Sequence, residues 1–220
     1  MKNILFSLEA VSKILIECYK SNNNLETGGI LVGPRQHKNI ITDVLPSTSF
    51  AERRQVTYYQ SAKDVYILNR KLKIYHKKGC DFRGYFHKHP SGMFQLSNGD
   101  NFTCIDILKN PNYKINNHLI MCIVTESPVQ DFPMFLYVVS LDYNNETIIK
   151  KSSIKVLPKT CILECAECFE PSEKGANHEI DNNGQDPTGT QEQTNSECSV
   201  VRNTEKQSSD SKFTSQEKDT

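Results

Sequence analysis

The stretch Phe82-Arg83-Gly84-Tyr85-Phe86-His87-Lys88-His89-Pro90, followed at a distance by Ser97 and Asp100, decides how this chain is read. The aromatic run from Phe82 to His87 predicts a strand that leads straight into a histidine pair. Alternate residues of a strand share one side, so His87 and His89 face together while Lys88 faces away. Pro90 stops strand pairing, and the Ser97-Asn98-Gly99-Asp100 turn brings a carboxylate back at the start of a helix. Two imidazoles and a carboxylate make three protein ligands for a divalent metal and leave a fourth position open, the arrangement of a catalytic rather than a structural zinc site. Nitrogen and oxygen donors without sulfur favour zinc, although other divalent ions can substitute. A hydrolase is the chemistry these residues suggest.

Outward from that strand, apolar spacing lays out one domain. Leu8, Val11, Leu15 and Tyr19 recur at helical spacing and predict an amphipathic helix over residues 7–20, ended by Asn22-Asn23-Asn24. Thr27 to Val32 predicts a buried strand entered through Gly28 and Gly29, with Asn39 to Leu45 its antiparallel neighbour and Gln55 to Tyr59 a third strand. Ala62, Val65, Leu68, Leu72 and Tyr75 mark a second helix, closed by Lys77-Lys78-Gly79. A third helix is expected to start near Asp100, to turn Phe102, Ile105 and Leu108 inward, and to stop at Asn110-Pro111. Leu119 to Thr125, Phe135 to Leu141 and Glu146 to Lys151 complete the sheet. The expected fold is α/β in the α+β sense: a single mixed sheet with helices on its flanks, over residues 1–158. No internal repeat interrupts that order.

From Lys159 onward the composition changes to Asn, Gln, Ser, Thr, Glu and Asp. Such a stretch has too little apolar surface to offset its ordering entropy. Residues 159–220 are therefore expected to form an acidic tail, disordered over residues 170–220. Residues 1–158 carry 20 Lys and Arg against 13 Asp and Glu, and residues 159–220 carry 6 against 13, so net charges of +7 and −7 cancel in the whole. The tail either stays solvated, folds back on the body or meets a partner. The body has no basic stripe with interleaved aromatics, which argues against nucleic acid.

Cys18, Cys80, Cys104 and Cys122 are scattered through apolar segments, as buried reduced thiols are, and a reducing, cytoplasmic compartment is expected. Ile4-Leu5-Phe6 is too short for an export signal and Glu9 interrupts it; no run reaches the ~20 apolar residues of a membrane span. Cys161, Cys165, Cys168 and Cys198 contain one Cys-x-x-Cys pair without a matching second pair, so free thiols are expected over a second, structural zinc. His37, His76 and His118 lie apart from the motif and His178 lies in the polar tail.

Amide hydrolysis needs a base that carries a proton to the leaving amine. Glu26, in Leu25-Glu26-Thr27-Gly28-Gly29, is the candidate: an acid at the mouth of a buried strand, beside glycines that allow close backbone approach. A carboxylate there without a task would be costly. Ser97 is placed to donate to a developing oxyanion, to cap the following helix, or to do both. Ser47 to Gln55, with Arg53-Arg54, joins two strands near the site. It is either a solvated loop or a rim that holds an extended substrate tail by strand addition.

Together, Glu26-Thr27-Gly28-Gly29, His87-x-His89-Pro90, the seven residues between His89 and Ser97, and the two between Ser97 and Asp100 resemble the signature of the JAB/MPN+ (JAMM) metalloproteases. The resemblance covers about residues 5–150 and implies the JAB/MPN fold, on a scaffold related to that of cytidine deaminases. It implies one zinc ion held by His87, His89 and Asp100, with Glu26 deprotonating the water and Ser97 steadying the tetrahedral intermediate. It implies hydrolysis of the isopeptide or peptide bond after the C-terminal tail of a ubiquitin-like protein, as conjugate or precursor. The Leu25-to-Gly33 opening looks like the stand-alone prokaryotic branch. Two departures matter. Lys88 stands where many members have Ser or Thr, and changed substrate contacts are expected from it. The segment after Asp100 lacks the long insertion of linkage-specific eukaryotic members, so chain-type specificity is not implied.

Other readings fit less well. A catalytically inactive scaffold or binding module of the same fold usually lacks one or more ligands, and here the full set stands. A nucleotide deaminase needs His-x-Glu followed by Pro-Cys-x-x-Cys, but position 89 is His and no such pair follows in the body. His-Glu-x-x-His is absent.

Overall fold

A computed structural model describes residues 3–21, 25–113, 115–126 and 133–160. In chain order the elements are β1 (Ile4–Ser7), α1 (Leu8–Lys20), β2 (Thr27–Pro34), β3 (Ile40–Ile41), β4 (Asp43–Pro46), β5 (Glu52–Arg53) and β6 (Tyr58–Tyr59). There follow α2 (Ala62–Lys77), β7 (Cys80–His89), α3 (Asn98–Lys109), a 3-10 turn at Pro111–Tyr113, β8 (Leu119–Thr125), β9 (Met134–Leu141), β10 (Thr147–Ser152) and β11 (Ile154–Leu157). Residues 161–220 lie outside the described residues, and with them Cys161, Cys165, Cys168, Cys198, His178 and the disorder expected over 170–220.

Six strands form a mixed sheet in the order β10-β9-β8-β7-β2-β4. Only β7 and β8 run parallel in it. The chain is thus a mixed α/β protein with helices flanking a multi-stranded sheet, as the sequence leads one to expect. β8 explains why: Leu119, Met121 and Ile123 join the core under α2 and α3, while Ile120, Cys122 and Val124 join the core under α1. A central strand covered on both faces reads as an unbroken apolar run. β2 divides likewise, with Ile30 and Val32 on one side and Leu31 on the other.

Three features differ from expectation. A second sheet, β11-β1-β3, is all parallel and joins Ile4 to Ile154, a pairing too distant for local pattern to reveal. It also splits the strand expected over 39–45: Ile40 and Ile41 pair with β1, whereas Asp43 to Pro46 pair with β2. The third strand shrinks to Tyr58–Tyr59 and pairs only with β5, in a two-stranded ribbon outside the main sheet.

The face of α3 is the clearest correction, although Leu108 packs against the core as expected. Phe102 is 69% exposed, and the buried positions are Asp100, Cys104 and Ile107. These recur at i, i+4 and i+7, one helical face. Turning Asp100 inward fixes the rotation of the helix, and Phe102 is left outside. Ile107→Ala is expected to cost about 2–5 kcal/mol and Phe102→Ser no more than about 0.5 kcal/mol in urea unfolding.

β4 ends the main sheet, and its outer edge is closed chemically. Pro46 has no N–H to offer, and the Val44 N–H donates to Asp43 Oδ1 at 2.7 Å. Asp43 also accepts from Lys13 of α1 and from the Tyr75 hydroxyl of α2. Burial alone would raise the Asp43 carboxyl, but these donors outweigh it and hold it below the usual range. Its contribution to stability is present above the unfolded carboxylate pKa and is lost as pH falls through the lowered native value. Asp43→Asn is expected to flatten the fall in stability below about pH 4, measured by urea unfolding across pH.

Candidate metal centre

β7 ends in the site. His87 and His89 share a face with Tyr85, and Lys88 lies on the opposite one, 1% exposed. Its Nζ donates to Cys18 O (3.3 Å) and Ser21 O (3.5 Å), at the C-terminal end of α1 where a cation is favoured. Lys88 therefore points away from the histidines, as expected. Its side chain is buried against the end of α1, so any effect on substrate contacts would have to pass through that packing.

Asp100 arrives on the first turn of α3, held by a capping box. Its main-chain N–H donates to Ser97 Oγ (3.1 Å), and its Oδ2 accepts from Ser97 N (2.8 Å) and Ser97 Oγ (2.7 Å). Ser97 thus caps the helix, one of the two roles open to it. Asp100 Oδ1 lies 2.9 Å from His87 Nδ1, and Oδ2 lies 3.1 Å from His89 Nε2. Glu26, 7% exposed, closes the group with Oε2 at 3.1 Å from His87 Nε2. The structure therefore brings Glu26, His87, Ser97 and Asp100 to the wall of one cleft, with His89 in contact with Asp100.

Their ionisation follows from this crowding. Burial would lower the His87 imidazolium, but the carboxylates of Asp100 and Glu26 outweigh it and lift it to about 9. Burial would raise Asp100, yet His87, His89 and the Ser97 hydroxyl hold it far below the usual carboxylate range. The donor set suits a cation. His89 Nδ1 faces Met93 O at 3.2 Å. A carbonyl only accepts, so Nδ1 carries a proton and Nε2 is the ring atom left to serve as a metal ligand. One ligand atom each from His87, His89 and Asp100 lies within 4.8 Å of the others, and this group can hold a metal ion.

A cleft of about 420 Å³ opens beside the ligands. One wall is the ribbon side, residues 56 to 60; the other is the start of α3, with Ser97, Asn98 and Gly99. Tyr58 was not singled out by sequence. Its ring stands 5.4 Å from that of His87, and its phenol meets the Ser47 hydroxyl. The only sequence signal for it is Gly28: a Cβ there would lie 2.9 Å from Tyr58 Cε1 and 2.8 Å from Phe86 O. Glycine lets that ring close over the strand. Of the 47–55 stretch, Arg53 is turned inward onto main-chain carbonyls, so it is not a rim group, while Arg54 pairs with Glu52 in solvent. His76 is a surface partner of Asp81, and His118 is half-buried away from the centre.

Fold and site together define a mixed α/β protein with a candidate mononuclear metal centre at the end of its parallel strand pair. No family model and no curated protein matches the chain. Among the described residues no helix is long and apolar enough to cross a membrane. Asp100→Ala is expected to abolish retention of a divalent ion through gel filtration, read by metal analysis, while circular dichroism stays near that of the parent. One full equivalent retained by the variant would exclude Asp100 as a ligand.

Proposed function

We propose that the chain is a zinc-dependent isopeptidase or peptidase of the JAB/MPN+ (JAMM) type, which hydrolyses the bond after the C-terminal tail of a ubiquitin-like modifier or of its precursor. One observation carries this reading. Glu26, the residue just before β2, places its carboxylate against His87 at the cleft that Asp100 also lines, and Asp100 in turn meets His89. Glu26 stands outside the three residues whose ligand atoms come together, so an acid lies beside the group without belonging to it. His87, His89 and Asp100 would hold the ion, and zinc suits their nitrogen and oxygen donors. When bound, it supplies Lewis acidity towards a substrate carbonyl and towards water.

The protein groups then have separate tasks. Glu26 Oε2 accepts a proton from the attacking water and passes it to the leaving nitrogen. The Ser97 hydroxyl, now donating to Asp100 Oδ2, turns to donate to the carbonyl oxygen as it gains charge. Met93 O and the capping box keep His89 and Asp100 in register, so little reorganisation is needed during reaction. Burial pushes the Cys18 and Cys104 thiols up to about 12, and such inert thiols agree with a reducing, cytoplasmic setting.

The test uses ubiquitin carrying an aminocoumarin amide at its C-terminus, together with precursors of ubiquitin-like proteins. Glu26→Gln is expected to keep about one equivalent of zinc and to lose hydrolysis by on the order of 10²-fold or more. A chelator is expected to stop the reaction and added zinc to restore it. Cleavage by Glu26→Gln at the parent's rate would remove Glu26 from the role of base.

A further inference from the structure

Glu26 can carry protons only if its carboxylate is held at one place, and the group that holds it lies on the far side of the sheet. Arginine has five N–H donors in a rigid fork, and every one of those of Arg53 has an acceptor. Nε donates to Thr27 Oγ1 at 3.0 Å. Nη1 donates to Thr48 O at 3.0 Å and to Ala51 O at 3.3 Å. Nη2 donates to Glu17 Oε1 at 3.0 Å and to Ser47 O at 3.2 Å. The Thr27 hydroxyl completes the ring by donating to Glu17 Oε1 at 2.7 Å. One guanidinium therefore ties α1, the first residue of β2 and the turn from Ser47 to Arg54.

That turn touches the site twice. Arg54 O accepts the Glu26 main-chain N–H at 2.8 Å, and the Ser47 hydroxyl meets the phenol of Tyr58, whose ring stands against His87. Thr27 is the direct neighbour of Glu26, and alternation sends its side chain to the opposite face. Arg53 is not among the residues that line the cleft.

We propose that Arg53 is a positioning residue for Glu26, acting through the Glu17 carboxylate, the Thr27 hydroxyl and the 47–54 turn; this rests on Glu26 being the proton carrier. The planar fork serves five acceptors in fixed directions, and the ammonium of lysine, with three donors on a flexible stem, cannot replace it.

Amide hydrogen exchange of the full chain tests this without any substrate. In Arg53→Ala, and to a lesser degree in Arg53→Lys, the Glu26 amide is expected to exchange about tenfold faster or more, while the Ile120 and Cys122 amides of β8 keep their protection. Unchanged exchange at Glu26 would overturn the proposal, and so would an equal loss across β8, which would make Arg53 a prop for the whole fold. The second arm is the aminocoumarin amide of ubiquitin. Arg53→Ala is expected to lower kcat on the order of 10- to 100-fold, with KM and bound zinc unchanged. In a Glu26→Gln background the same substitution is expected to add nothing, and a further equal loss there would overturn the proposal. A parent chain that leaves the probe intact counts against the proposed function alone, and the exchange measurement still decides Arg53.

Discussion

The pairing of β2 with β7 is the constraint on which the candidate site depends. Thr27 lies opposite Lys88 and Gly28 opposite His87, which carries Glu26 to a histidine 61 residues away. Side-chain direction alternates along a strand, so a register slip of one residue would turn both histidines towards α1 and Lys88 into the cleft. The register is held by what each face tolerates. Tyr85 and Phe86 belong to different cores. Gly28 admits Tyr58 and Gly29 admits Phe86 and Leu45 at distances that no side chain would allow.

Behind the site, the sheet carries cations in an otherwise apolar layer. Lys88 is buried and Arg53 half-buried at the C-terminal end of α1. Buried charge is costly unless it is paired and hydrogen-bonded. Here the helix end supplies main-chain carbonyls for Lys88 and a carboxylate for Arg53. The same contacts fix the chain on both sides of Glu26: Ser21 before it, through Lys88, and Thr27 after it, through Arg53. A polar support of this kind adds direction where apolar packing adds only area.

α3 illustrates a conflict between two demands on one helix. Apolar spacing places Phe102, Ile105 and Leu108 together, whereas Asp100 must face the histidines and Ser97 must cap it. The carboxylate decides the rotation, because an unpaired buried acid costs more than an exposed phenylalanine. Local pattern and final structure disagree at the candidate metal centre, and such disagreement is expected where side chains are placed for something other than packing.

Much of this was legible in the sequence. The strand into His87 and His89, the extent of the first helix, the glycine-entered strand after Glu26 and the Ser97–Asp100 cap all follow from periodicity, turn residues and donor chemistry, which act over a few residues. The face that helix buries is Ala10, Ile14 and Cys18, while Leu8 and Tyr19 of the expected stripe are exposed. What the sequence by itself determined is the set of elements and the candidate ligands. The tertiary structure alone decided the parallel β1–β11 pairing, the inward turn of Arg53, the burial of Lys88 and the placing of Tyr58 over Gly28. Each of these depends on which surfaces meet across more than ten residues of chain, and no local preference encodes that meeting.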